Sequence, residues 1–308
     1  MKSNEGEYNI LVFNCGSSSV KYRLIRMPAE TDLICGEAER VGLKTQGDSF
    51  ITHVAKGKKR VCSCALPDYK TAFLRITELI RQDTVQDPFL KIDLFAHRYV
   101  HPGRYFNKTT RVDKIVLRKL ADTFVLAPIH NRISYSLIEA CSGLFKKIPQ
   151  YIVFDTSFHK TIPRALGTYA LPRKLIRAEG FKKIGFHGIS HKYVMEEACK
   201  FLGRNAATQR IISCHLGTGG ASVCAIENGK SINSSMGFTP LEGLIMNTRC
   251  GDLDMGVVFY IMFQENFTPD QIDEVLNKKS GVLGIFNDSS DLRDVAKNMG
   301  RDPKAKMV

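Results

Sequence analysis

The chain has 308 residues, 44% of them hydrophobic, with nine cysteines and a formal net charge of +13. That length and apolar content suffice for one large core or two modest ones, and two domains are the default at this size. A polar, acidic start, no apolar run of membrane-spanning length and scattered thiols without a CxxC pair predict a cytoplasmic chain with no membrane partner and no ordinary zinc site. The basic residues are dispersed, and their densest run, Lys56 to Arg60, reads as a solvated hairpin. There is no nucleic-acid module and no interleaved aromatic platform, so the charge points to a small polyanion and not to a nucleic acid.

Strands are predicted at 8–14, 21–27, 33–40 and 49–54. Between the first two lies Asn14-Cys15-Gly16-Ser17-Ser18-Ser19-Val20-Lys21, whose hydroxyls, backbone N–H groups and lysine suit a phosphate or carboxylate cradle, or an ordinary polar hairpin turn. It is not a Walker loop, which joins a strand to a helix. Asp68 caps a helix that places Ala72, Phe73, Ile76, Leu79 and Ile80 on one face. A buried strand, Ile92 to Ala96, runs into His97-Arg98. Helical patterns follow near 113–123 and 132–147, and Tyr151 to Phe154 is a further buried strand ending at Asp155-Thr156.

The second half repeats the plan. A helix covers about 191–202, and a strand from Arg210 to His215 enters the turn Gly217-Thr218-Gly219-Gly220. The next strand, 221–226, reverses at Asn228-Gly229, a type I′ signal. Thr268-Pro269-Asp270-Gln271 is a capping box opening a helix to about Lys278. Alternating strands and helices predict mixed α/β sheets. Two domains, 1–157 and 158–308, would present glycine turns to a shared cleft.

Six polar clusters follow apolar strand-like runs or sit in glycine turns: Asn14 to Lys21, His97-Arg98, His130-Asn131, Asp155 to His159, Gly185 to Gly188, and Thr248 to Asp252. A lone histidine after a strand is more often structural than catalytic. Six clusters in one chain, at the strand ends where α/β sheets carry ligands, shift that balance. Arginines, phosphate turns and a single carboxylate fit phosphoryl transfer, in which the protein positions reactants and neutralises charge. The carboxylate suits a Mg²⁺-linked role, because Mg²⁺ takes few protein ligands and keeps its waters.

The ordered set of segments resembles the acetate kinase family. It comprises Asn14 to Lys21, His97 to Gly103, Leu126 to Asn131, Val153 to His159, Gly185 to His191, Cys214 to Gly217, Ser235 to Gly243, Thr248 to Asp252 and Leu276 to Gly281. The resemblance implies the fold shared with sugar kinases, Hsp70 and actin, with two RNase H-like domains around a cleft. It implies ATP and acetate exchanging with ADP and acetyl phosphate, Mg²⁺, and a homodimer. Carried over by residue, Arg98 and Arg249 would hold the carboxylate and the moving phosphoryl group. His187 would donate to the transition state, Asp155 would organise Mg²⁺, and Asn14 would assist the metal through water. Ser17, Ser19 and Lys21 would flank the phosphates; His130, His215, Gly217, Thr218 and Gly219 would line their path. Val100, Ile129, Phe186 and Pro240 would wall the acetate methyl, and Asp291 and Arg293 would sit beside the nucleotide.

Four departures from the family pattern stand out. Thr218 replaces an asparagine, as in a pyrophosphate-using branch of the family, so a pyrophosphate-linked enzyme is the alternative. His101-Pro102-Gly103 stiffens the loop after Arg98. Arg132 stands where the family has proline. No Gly-x-Gly-Glu-Asn adenosine loop occurs before Val308, which predicts an incomplete second domain with little ATP-dependent activity. A kinase for propionate or butyrate and a non-catalytic anion-binding relic are the remaining readings.

Overall fold

The structure is a computed structural model that describes residues 6–43, 49–87, 90–217 and 219–308, apart from the side chains of Gln86, Pro128 and Ile129. The chain divides into two compact units, Met1–Asp155 and Thr156–Val308.

In the first unit, β1 (Tyr8–Cys15) alternates, burying Leu11, Phe13 and Cys15 while Asn14 faces water. This period of two is what a half-buried strand requires. β2 (Ser19–Met27), β3 (Thr31–Glu39), β4 (Phe50–Ala55) and β5 (Lys58–Ser63) follow as an antiparallel meander. The β4–β5 turn is Lys56-Gly57, both residues at positive φ, so the dense basic run is the expected hairpin. Helix α1 (Tyr69–Gln86) starts at Asp68, whose side chain accepts from the Thr71 N–H. β6 (Leu94–Tyr99) lies parallel beside β1. β7 (Thr110–Arg111), α2 (Lys114–Ala121) and α3 (Pro128–Leu144) precede β8 (Gln150–Phe154), which lies parallel beside β6. The sheet order is β5-β4-β3-β2-β1-β6-β8-β7. An antiparallel meander continued by parallel strands is the RNase H-like pattern the resemblance implies. A core of Leu11, Phe13, Phe73, Ile76, Phe95, Leu137 and Cys141 lies between the sheet and the packed pair α1 and α3.

Helix α3 starts at Pro128, earlier than the expected 132, because proline is well tolerated in a first turn. Arg132, which the sequence left unexplained, places its guanidinium 5.0 Å over the Phe124 ring. His97 and Arg98 lie inside β6 and not beyond it.

The second unit opens with two short helices, α4 (Arg164–Gly167) and α5 (Arg173–Glu179), then α6 (Gly188–Phe201). β9 (Arg210–Gly217), β10 (Gly220–Glu227) and β11 (Lys230–Ser234) form an antiparallel sheet in the order β11-β10-β9. Asn228 and Gly229 take φ of 53° and 75°, as a type I′ turn demands. Four helices follow: α7 (Met255–Gln264), α8 (Pro269–Glu274), α9 (Gly281–Phe286) and α10 (Leu292–Asn298). The Thr268 capping box is present, and α8 passes into a π-helical turn, Val275–Lys279. Helix α6 begins three residues before the expected 191, which makes His187 its N-cap.

Candidate active site

Three neighbouring parallel strands of the first unit bring one cluster together. β1, β6 and β8 run in one direction, so their C-terminal ends lie side by side. Asn14 sits at the end of β1, Arg98 on the central β6, and Asp155 directly after β8. Arg98 spans the gap both ways, donating from Nη1 to Asn14 Oδ1 at 3.2 Å and from Nη2 to Asp155 Oδ2 at 3.0 Å. The Asp155 side chain is only 4% exposed against 27% for Arg98, so the pair has a buried acid and a half-open guanidinium. A planar fork with a free edge suits a carboxylate or phosphate.

Around this cluster the hairpin turn is tight, with Gly16 N–H donating to Ser19 C=O at 2.8 Å, and Tyr69 on α1 donates to the Gly16 carbonyl at 3.0 Å. Ser17 and Lys21 are exposed and Ser19 half-buried. Lys21 faces Asn14 across the β1–β2 ladder and pairs loosely with Glu37 at 3.7 Å. Val100 is buried just beyond β6. Buried Asn131 braces the start of α3, where His130 lies half-buried: its Nδ2 donates to the His101 and Thr123 carbonyls at 2.9 Å. His101 Nδ1 accepts from the Gly103 N–H at 3.1 Å, which fixes the loop after Arg98. The Ile129 side chain and Thr218 lie outside the described residues.

The second unit gathers a second cluster. His187 caps α6 in a left-handed conformation, φ 58°, an unusual backbone state for a non-glycine residue and one found at functional sites. Its ring stacks on that of His215 at 4.1 Å. Gly220, where β10 begins, has two side-chain nitrogens beside it: a Cβ there would lie 3.3 Å from Arg249 Nη1 and 3.4 Å from His187 Nε2. Only glycine leaves that space open. Arg249 donates to the Pro240 carbonyl at 3.4 Å and pairs with no carboxylate among the described residues. Burial pushes its pKa down. A desolvated guanidinium without a carboxylate is a standing anion site. Phe186, next to His187 in sequence, is buried, Pro240 is half-buried, and Gly217 and Gly219 are exposed at the β9–β10 turn.

Two further groups from the expected segments are held by partners of their own. Asp291 is the N-cap of α10; it accepts from the Arg293 backbone N–H at 2.8 Å and from its guanidinium, which holds the carboxyl down at about 2. His159 is buried, with Nδ1 2.8 Å from Ser231 Oγ and Nε2 2.8 Å from the Phe186 carbonyl, a structural arrangement. Sequence reasoning named no role for Ser190, Ser213 or Ser222, whose hydroxyls lie 2.8 to 2.9 Å from ring nitrogens of His215, His191 and His187. The available signal was a serine at Ser222 on the inward face of β10, between Gly220 and Cys224.

Comparison with known proteins places these clusters in context. The profile of the Acetokinase family matches residues 9–308. The acetate kinase of Dictyoglomus turgidum is 45% identical over 288 residues, 93% of this chain and 70% of that protein. Among solved structures, a propionate kinase from Francisella tularensis aligns with TM-score 0.88 at 38% identity, over 97% of this chain and 76% of that one. The Porphyromonas gingivalis acetate kinase aligns with TM-score 0.85 at 38% identity, over 97% of this chain and 75% of that one. Ordered motifs, fold and extended identity agree: this chain belongs to the Acetokinase family.

Proposed function

We propose that this protein is an acetate kinase, transferring a phosphoryl group reversibly from ATP to acetate to give acetyl phosphate and ADP. The observation that carries the reading is 41–45% identity to curated acetate kinases over nearly the whole chain. The chemistry agrees with the residues. Acetate is already ionised and needs no base, so the barrier is the approach of one anion to another. Two arginines lower it: Arg98 would orient one anion from the first unit, and Arg249 would take charge on the moving phosphoryl group. His187 Nε2, converging with Arg249 beside Gly220, would donate to the same group. Ser17, Ser19 and Lys21 in the first unit, and His215, Gly217 and Gly219 in the second, would flank phosphates; Val100 would touch the acetate methyl. Asp291 and Arg293 would meet the nucleotide.

Asp155 and Asn14 fit Mg²⁺. They offer a carboxylate and an amide oxygen side by side on Arg98. Among the described residues there is no cluster of three or more His, Cys, Asp or Glu that would make a full protein cage. A hard ion that keeps its waters and borrows phosphate oxygens suits so sparse a set, and when bound it would neutralise phosphate charge. ATP is preferred to pyrophosphate as the donor because of the extended identity to curated acetate kinases, against a pyrophosphate expectation that rested on the Thr218-Gly219-Gly220 turn and the missing adenosine loop. We further propose a homodimer, supported by the exposed apolar side chains of α7, including Phe259, Tyr260 and Phe263, and a cytoplasmic location, supported by the free thiols.

The test is to incubate the purified chain with Mg²⁺ and ATP plus acetate, trapping acetyl phosphate as the hydroxamate, with parallel arms containing propionate or pyrophosphate. Product from ATP and acetate is expected. Product only with pyrophosphate, or none, overturns the reading.

A further inference from the structure

His187 does not act from an isolated ring. Its Nδ1 lies 2.9 Å from Ser222 Oγ, and the same hydroxyl lies 2.8 Å from Nε2 of His191. His191 Nδ1 is in turn 2.9 Å from Ser213 Oγ. Ser222 and His191 are fully buried and Ser213 nearly so. The arrangement follows from the elements. His187 and His191 are four residues apart, at the cap and first turn of α6, and share a face. Ser213 and Ser222 are buried positions on the paired strands β9 and β10.

Three hydrogen bonds in series have one shared polarity. A hydroxyl carries a single proton, and a neutral imidazole has one donor nitrogen and one acceptor. If Ser222 donates to His187, it accepts from His191 Nε2–H, and His191 Nδ1 then accepts from Ser213. That direction makes His187 Nδ1 an acceptor and leaves the proton on Nε2, the nitrogen beside Gly220 and Arg249. The opposite direction would present a lone pair there. An imidazolium would supply the donor too, but Arg249 Nη1 and the Cε1–Nε2 edge of His187 both border the space beside Gly220, and a second cation there would be repelled by the guanidinium. A neutral ring with a fixed tautomer donates without adding charge, a device enzymes use elsewhere.

We propose that Ser222 and His191, backed by Ser213, are positioning residues that hold His187 as its neutral Nε2–H tautomer and aim it at the transferred phosphoryl group. The polarity rests on the reading of His187 as a donor to that anion.

Long-range nitrogen NMR of histidine-labelled protein, with His187 assigned through His187→Gln, reads the tautomer directly and without turnover. An unprotonated Nδ1 and protonated Nε2 are expected in the natural chain. In Ser222→Ala the two His187 nitrogens should move toward tautomer-averaged shifts. The turnover rate should fall about tenfold or more with the KM for acetate within about twofold, the size of effect seen when a group orienting a functional histidine is removed. Ser222→Thr, which keeps the hydroxyl, should restore most of both. A protonated Nδ1 in the natural chain, or unchanged His187 shifts in Ser222→Ala, overturns the proposal. Should Ser222→Ala fail to fold, the natural-chain spectrum still decides. A chain that makes no acetyl phosphate yet shows the Nε2–H tautomer overturns the reaction and supports the relay.

Discussion

Arg98 and Arg249 carry the same charge in different electrostatic settings, and the difference separates activity from stability. Arg98 neutralises Asp155, a carboxylate only 4% exposed. Arg98→Met leaves that acid buried without its partner, and we expect a loss of about 2 kcal/mol, below the range for a fully buried pair because the guanidinium is partly solvated. Arg249 has no such carboxylate among the described residues, and burial works against its charge. Arg249→Met should therefore leave the melting temperature unchanged or higher. Both variants should lower acetyl phosphate formation by about 100-fold or more, the scale for removing one transition-state donor. Equal melting temperatures for the two variants would contradict this assignment. The sequence identified both arginines but grouped His97 with Arg98 as one polar cluster. Strand alternation divides them: Phe95, His97 and Tyr99 point into the core and Arg98 points the other way. The hydroxyls behind His187 escaped notice because a serine in a strand carries no motif; its place on the buried face was the clue.

At the scale of elements, local chemistry was legible where backbone groups needed a partner. The Asp68 cap, the Thr268 capping box and the Asn228-Gly229 turn all stand where the sequence put them. Helix α7 was not legible, because its Val257 to Phe263 stretch is apolar without a break and has neither a helical nor a strand period. β6 shows what a polar residue in a core strand costs. His97 packs against both the Phe13 and Phe95 rings, and its Nε2 donates to Gln150 Oε1 at 3.0 Å; Gln150 in turn donates to Ser142 on α3 at 3.1 Å. Nδ1 has no hydrogen-bond partner among the described residues, so a second N–H there would be buried unsatisfied. Burial moves the His97 pKa from 6.5 down to about 4. The folded state thus binds fewer protons than the unfolded chain across that window. Its stabilising contribution is complete above pH 6.5 and is lost as pH falls toward 4, roughly 3 kcal/mol in all. Thermal melts between these pH values should show the decline, and His97→Gln should flatten it while lowering the neutral-pH baseline. An unchanged pH slope in that variant would assign the decline to other groups.

The two units differ in how much core each has built, and this governs where the molecule opens first. In the first unit one cluster of buried side chains runs from Leu11 through Phe73 and Phe95 to Cys141, and a second joins Tyr99, Ile152 and Phe154. Among the described residues the second unit shows small separate clusters, around Met195 and Cys224 and around Val282 and Phe286. Large apolar side chains there face outward: Phe201 is 89% exposed, Leu216 75% and Phe263 72%. Composition could not reveal this asymmetry, since a hydrophobic fraction counts residues and not the partners that cover them. Local opening free energy follows buried apolar contact, so amides of β1, β2 and β6 should exchange with solvent near the global unfolding limit. Amides of β9 and β10 should exchange faster, although their ladder is as long as that of β1 and β2. The edge strand β9, with Ile212 and Leu216 exposed, should open before β10. Hydrogen exchange read by mass spectrometry on the intact chain measures each segment separately. Equal protection in the two units would mean that the apolar side chains of the second are covered in solution. Repeating the exchange with Phe263→Glu then locates the cover: a homodimer seated on α7 would lose that protection, and a cover elsewhere would keep it.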